Sequence, residues 1–201
     1  MPRFLKDEAE LAALYGTPRT AAVAKVTPVI TPHYRAWIEA SPFCALASVG
    51  PEGLDCSPRG DRGAVVRVID ERTIAIPDRR GNDRIDTLRN IVRDPRVALM
   101  FLIPGSGTVL RVNGRGAITA DREVLEDHAV DGALPRTVLF VTAEAVYFQC
   151  SRAVVRSGLW SGHADTSQLP SVGTMLEALE ASIDARTYDA EWPGRAVASL
   201  W

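Results

Sequence analysis

The chain has 201 residues, 46% hydrophobic and 24% charged, with a formal net charge of -2. That is enough apolar material for a core of its own, and too little charge for a nucleic-acid binder that works by bulk electrostatics. Three cysteines without a CxxC pair and three scattered histidines, His33, His128 and His163, exclude a disulfide framework and a sequence-evident zinc site. No charged start leads into an apolar run, and no segment of about 18 apolar residues is present, so a cytoplasmic protein without a membrane partner is expected. The basic residues are 21 Arg and only two Lys, Lys6 and Lys25. Arginine presents a rigid donor fork to phosphates and carboxylates. A GC-rich coding bias produces the same excess, so only local clusters of arginine are informative.

In chain order, Lys6 to Tyr15 reads as a short helix stopped by Gly16, and Thr17 to Pro32 as a loop or extended arm. Thr31-Pro32 opens a helix that ends at Ser41-Pro42, with Thr31 as N-cap and Pro at the first helical position. Strands are predicted at Phe43–Val49 and Leu54–Ser57 around a Gly50-Pro51-Glu52-Gly53 turn. Ala64–Ile69 and Thr73–Ile76 form a hairpin around Asp70-Glu71-Arg72. Ile85, Leu88 and Val92 recur at helical spacing, which predicts a helix over Asp83–Arg93. Strands follow at Val97–Ile103, Val109–Ile118 and Thr137–Cys150, with a short helix over Thr119–His128. Thr174–Thr187 is the last clear helix, opened by a capping box from Thr174 to Glu177. Short strands with turns every few residues, and no alternating βαβ units, predict a mainly β fold of barrel or sandwich type with helical decoration. The expected organisation is an N-terminal helix and arm over 1–30, one barrel domain over 31–165, and a C-terminal helix and tail over 166–201.

Four clusters carry possible chemistry. In Ile76-Pro77-Asp78-Arg79-Arg80-Gly81-Asn82-Asp83-Arg84, two arginines leave a strand and enter a helix N-terminus, which offers unpaired N–H groups to a phosphate. Asn82 or Asp83 is the expected N-cap. The alternative is a solvated loop balanced by Asp78, Asp83 and Asp86. The segment Cys56-Ser57-Pro58-Arg59-Gly60-Asp61-Arg62-Gly63 reads as a loop at a strand edge, exposing Ser57 and backbone N–H groups, with Arg67 on the next strand. Arg111, Asn113 and Arg115 share one strand face by alternation, either facing solvent or lining a groove. Arg152 and Arg156 are one helical turn apart, and Trp160 follows in a loop with His163. Templates for serine hydrolases, nucleotide-binding glycine loops and zinc proteases are missing, so no residue is predicted to be catalytic or a metal ligand.

Taken together, these clusters resemble the pyridoxamine 5'-phosphate oxidase-like superfamily of FMN-binding split barrels, over roughly Thr31 to Trp160. The chain is most similar to a bacterial subfamily with an Ile76-Pro77-Asp78-Arg79 run, a Leu110-Arg111-Val112-Asn113-Gly114 strand and a late Leu159-Trp160 segment. The resemblance implies a homodimer with FMN at the subunit interface. Arg79 and Arg80 would hold the phosphate, with Asn82 and Arg84 nearby. Ser57, Arg59 and Arg67 would approach the ring or ribityl chain. Arg111, Asn113 and Arg115 would complete the groove, and Arg152, Arg156 and Trp160 would border the substrate side. It further implies an oxidoreductase acting on a small molecule through flavin N5, with NADH or NADPH as candidate electron donor. A flavin- or haem-binding carrier or sensor without turnover is the alternative. True pyridoxamine phosphate oxidases carry an Arg-Lys pair where this chain has Arg79-Arg80, and their C-terminal substrate-binding stretch has no counterpart in Glu191-Trp192-Pro193-Gly194-Arg195. Oxidation of vitamin B6 is therefore not implied.

Overall fold

The computed structural model describes residues 1–162 and 165–200, so His163 of the Trp160 loop lies outside the described residues. Two short helices, α1 (Glu8–Ala12) and α2 (Thr20–Ala24), precede α3 (Pro32–Glu39). Neither of the first two buries a residue. The segment expected to be a plain arm thus contains α2, and Thr27 forms a bridge with Val146. Helix α3 begins as the sequence dictates: the Thr31 side chain accepts from the Tyr34 N–H, and Pro32 occupies the first turn.

The strands are β1 (Phe43–Gly50), β2 (Gly53–Gly60), β3 (Arg67–Val68), β4 (Thr73–Pro77), β5 (Arg96–Leu102), β6 (Val109–Thr119) and β7 (Val138–Gln149). They form one antiparallel sheet in the order β2-β1-β5-β6-β7-β4-β3. Cys44 and Leu46 from one end of that order share a single buried cluster with Val68, Ile74 and Ile76 from the other. The sheet therefore folds over onto itself as a split barrel, mainly β with helical decoration. Burial pushes the Cys44 thiol up to about 12, so it acts as a core apolar group and not as a nucleophile.

Three boundaries differ from expectation, each for a local reason. Strand β2 runs on through Pro58 to Gly60, because its pairing with β1 continues to Phe43↔Gly60. What reads as a loop is a strand, and Pro58 is tolerated because β2 is an edge. The strand expected over Ala64–Ile69 shrinks to Arg67–Val68. At the C-terminus the single helix expected over Thr174–Thr187 is two: α7 (Val172–Glu177), capped by Ser171, and α8 (Ala185–Ala198), capped by Asp184. Glu177 does not close a box on Thr174, and its carboxylate accepts from the Ala185 N–H.

Between β7 and these helices lies α6 (Arg152–Ser157), ended by Gly158 at φ 61. Helix α5 (Arg122–Asp127) joins β6 to β7, and α4 (Asp86–Arg93) leads into β5. Asn90 of α4 is buried, and its Nδ2 donates to Ser48 Oγ of β1 at 3.2 Å, which fixes the helix against the sheet. No helix among the described residues is long and apolar enough to cross a membrane.

The register between β6 and β7 shifts at Asn113/Gly114, where β7 carries an extra residue. A side chain at Gly114 would collide with the Thr142 carbonyl. Gly114→Ala is expected to lower stability by about 1–3 kcal/mol, read from urea unfolding, whereas Gly81→Ala, which meets nothing nearby, is expected to be neutral.

Candidate functional site

The main cleft has a volume of about 740 Å³, within the range of about 300–1,000 Å³ usual for small-molecule sites. Three pieces of chain enclose it. One face of β2 supplies Asp55, Ser57 and Arg59, which alternate with the exposed Leu54, Cys56 and Pro58. The exit of β4 supplies Asp78, Arg79 and Arg80, and the segment Gly81 to Thr87 forms the lip. Arg136 and Thr137, just before β7, close the far side, where the Asp78 N–H donates to the Thr137 carbonyl at 2.9 Å. Ser57, Arg59, Arg79, Arg80, Asn82 and Arg84 of the expected set therefore meet in one place.

The roles of the two adjacent arginines separate. Arg79 donates from Nε to Asp61 Oδ2 at 2.8 Å and from Nη1 to the His128 carbonyl at 2.8 Å. Its side chain is 15% exposed and that of Asp61 only 6%. A buried arginine held this way is a structural pin. Arg80 is exposed and makes no hydrogen bond or ion pair among the described residues. Arg59 spends one nitrogen on the Pro58 carbonyl at 2.8 Å.

The lip differs from the expected helix start. Helix α4 begins at Asp86, with Ile85 as its N-cap in the left-handed conformation and no side-chain cap. Neither Asn82 nor Asp83 caps it. Asn82 Oδ1 instead accepts from the Arg84 N–H at 3.2 Å, and Asp83 pairs with Arg136 at 2.7 Å. Asp83 at φ 60 and Ile85 at φ 52 are both left-handed. For a β-branched residue this conformation is strained, at a cost of about 1–3 kcal/mol. Arg84 turns to Asp86, 2.7 Å away, across an exposed surface.

On the β2 wall, Thr87 Oγ1 donates to Asp55 Oδ2 at 2.5 Å, and Ser57 Oγ donates to the same oxygen at 3.1 Å. Thr87 is buried in the first turn of α4, so this knot ties helix to strand at the cleft floor. Asp55, Asp61, Asp78, Thr87 and Arg136 are cleft residues that motif reading missed. Period-two alternation extended along β2 would have found Asp55. Arg136 carries no local signal.

The remaining expected residues lie elsewhere in this single chain. Arg67 lines a second cleft with Arg62, Asp127 and His128, and its Nη2 donates to the Asp127 carbonyl at 2.9 Å. Arg111, Asn113 and Arg115 do share the outer face of β6. The Arg111 guanidinium sits 5.2 Å from the Tyr147 ring centre, and Asn113 Oδ1 is buried without a partner. Arg152 and Arg156 lie on α6, and Trp160 Nε1 donates to the Ser106 carbonyl at 2.7 Å. None of these seven lines the main cleft.

The family model for pyridoxamine 5'-phosphate oxidase matches residues 30–150. The chain belongs to that family. Among solved structures it is similar to HupZ of Group A Streptococcus, at 18% identity over 61% of this chain and 95% of that one, with a TM-score of 0.50. A histidine-to-alanine variant of the same protein matches at 17% identity over 60% and 99%, with a TM-score of 0.50. A FAD-binding protein from Mesorhizobium loti matches at 18% identity over 61% and 96%, with a TM-score of 0.42. The likeness to HupZ is one of fold. No curated protein matches the sequence.

Burial raises the Asp78 carboxyl above its ordinary range, against a smaller opposing pull from Arg59 and Arg136. A carboxyl raised on folding binds its proton more readily folded than unfolded, so its charged form subtracts from stability at neutral pH. That loss is relieved as pH falls through its titration. Asp78→Asn is expected to raise the melting temperature at pH 7, and the gain should vanish below the ordinary Asp range, as differential scanning fluorimetry across pH would read.

Proposed function

We propose that this chain binds FMN in the main cleft and serves as a flavin-dependent oxidoreductase, with the cofactor at a homodimer interface. The observation that carries the reading is the donor set. After Arg79 is paired with Asp61, Arg84 with Asp86 and Arg136 with Asp83, Arg80 and Arg59 still present guanidinium nitrogens to the cleft. Two forks beside a backbone lip suit a phosphate monoester. Ser57 Oγ, whose proton goes to Asp55, is left as an acceptor on the β2 wall for a ribityl hydroxyl or a ring N–H. The family to which the chain belongs points the same way.

Bound flavin supplies hydride acceptance and donation, so no side chain has to be a nucleophile or general base. The chain's part is to anchor the phosphate through Arg80 and Arg59, with Asn82 and Arg84 shaping the lip. Arg79 serves this arrangement by holding the β4 exit in place and not by touching the phosphate. The substrate is a small molecule, and NADH or NADPH is the electron donor to try first.

Support for a dimer comes from the outer sheet face. Ala45, Ala47 and Ala98 lie half-buried there beside the exposed Met100, and Asn113 Oδ1 is buried without a partner. A buried acceptor left without a donor is costly, and a second copy laid over this face would supply one. Arg111 and Arg115 would reach the cofactor only from that second copy.

Two single substitutions test the assignment. Arg80→Ala is expected to keep the melting temperature and weaken FMN binding about ten- to a hundredfold, the loss of about 1.5–3 kcal/mol from a charge-assisted bond. Arg79→Ala is expected to destabilise the fold by about 3–5 kcal/mol, because it strands the buried Asp61 carboxylate. Fluorescence titration of FMN and thermal melts read the two effects. An Arg80→Ala protein that binds FMN like the parent would overturn the phosphate assignment. Bleaching of bound flavin by NADPH or NADH would support turnover, and inert flavin would favour a carrier.

A further inference from the structure

The carboxylates that line the main cleft are Asp55, Asp61, Asp78, Asp83 and Asp86. Four of them have partners: Asp55 accepts from Thr87 and Ser57, Asp61 takes Arg79, Asp83 takes Arg136 and Asp86 takes Arg84. Asp78 differs. Its backbone N–H donates to the Thr137 carbonyl at 2.9 Å, but its side-chain oxygens bond nothing among the described residues and keep accessible surface. Burial raises this carboxyl, while Arg59 and Arg136 pull it down and Asp83 pushes it up. Those three residues all line the main cleft, so the half-buried carboxylate lies among them. Arg79, the next residue, turns the other way to Asp61 and His128 and also lines the second cleft, which Asp78 does not.

What this group can take follows from its surroundings. Arg59 and Arg136 beside it, and Arg80 two residues on, disfavour a cation there, and its own charge disfavours an anion. A neutral donor remains, and a carboxylate accepts from one readily. A phosphate on Arg59 and Arg80 would spend the positive charge that faces Asp78. It would leave a half-buried carboxylate in need of a hydrogen-bond donor. Two residues of chain span at most about 7 Å, so that donor belongs to the part of the ligand adjoining the phosphate. In the empty cleft the group costs stability at neutral pH, a cost of the kind that binding sites carry.

We propose that Asp78 is a specificity-determining residue of the main cleft, accepting hydrogen bonds from hydroxyl groups on the chain that adjoins the phosphate. The inference rests on the phosphate position given under the proposed function. It makes the cleft a site for phosphate monoesters of polyols, FMN among them, ahead of phosphate monoesters carried on bare carbon chains. A site built to hydrogen-bond a ligand hydroxyl rejects the analogue that lacks it, because its own polar group is then left unpaired.

The test compares two probes on the full chain at one pH by flavin fluorescence titration. One is FMN. The other is its analogue in which the ribityl chain is replaced by an unsubstituted pentyl chain bearing the same terminal phosphate. The parent is expected to bind FMN at least about tenfold more tightly than the analogue. Asp78→Ala should cut that preference about tenfold while binding the analogue as well as the parent does, or better, since a charge near the phosphate is gone. Asp78→Asn, which keeps an acceptor oxygen and is expected to melt higher than the parent, should show a smaller cut in the same direction. A preference for FMN that is the same in the parent and in Asp78→Ala would overturn the proposal, as would a parent that binds both probes equally. Either result leaves the flavin reading standing. A parent that binds neither probe would overturn the flavin reading and this inference with it.

Discussion

The buried ion pair between Arg79 and Asp61 is the constraint on which the geometry of both clefts depends. It joins three parts of the chain that are remote in sequence: the end of β2, the exit of β4 and, through the His128 carbonyl, the end of α5. Removing charges from water is expensive, and this largely buried pair is supported by a further bond from the guanidinium fork to a backbone carbonyl. The result is a fixed wall with a cleft on each side. Arg80, the next residue, inherits its position from that wall while staying exposed, and this is what frees it for a ligand.

Around the main cleft the charges nearly cancel by pairing, and the cancellation is selective. Exposed pairs such as Arg136–Asp83 and Arg84–Asp86 are worth little in stability and exchange readily with solvent or ligand. The β2 wall is different: Asp55, Ser57 and Thr87 satisfy one another and lock helix α4 onto the strand. The cleft is therefore rigid at its floor and looser at its lip. Strain is concentrated at that lip, in Asp83 and Ile85, and strained backbone of this kind gathers at functional sites.

Much of this is legible in the sequence. The α3 start follows from Thr31-Pro32, and the strands over Phe43–Gly50, Arg96–Leu102, Val109–Thr119 and Val138–Gln149 follow from apolar alternation and turn residues. The gathering of Ser57, Arg59, Arg79, Arg80, Asn82 and Arg84 follows from motif order and resemblance. The differences have physical causes. Nothing local announces that an isoleucine takes a left-handed conformation, so periodicity places the helix start too early. Pro58 and Gly60 read as loop because edge-strand pairing is a tertiary fact. Pro193 and Gly194 disguise α8, where Pro193 sits inside the helix. The separation of Arg79 from Arg80 is invisible locally because Asp61 and His128 lie 18 and 49 residues away.

This member of the pyridoxamine 5'-phosphate oxidase family is thereby proposed as a flavin user, with the phosphate on Arg80 and Arg59. The most direct measurement is the visible absorption spectrum of the purified full chain, with mass spectrometry of the small molecule it releases on denaturation. The predicted result is a flavin spectrum and release of FMN at about one molecule per chain, or stoichiometric uptake when FMN is added. A chain that is colourless as purified and takes up no FMN, or one whose spectrum and released group are those of haem, would contradict it.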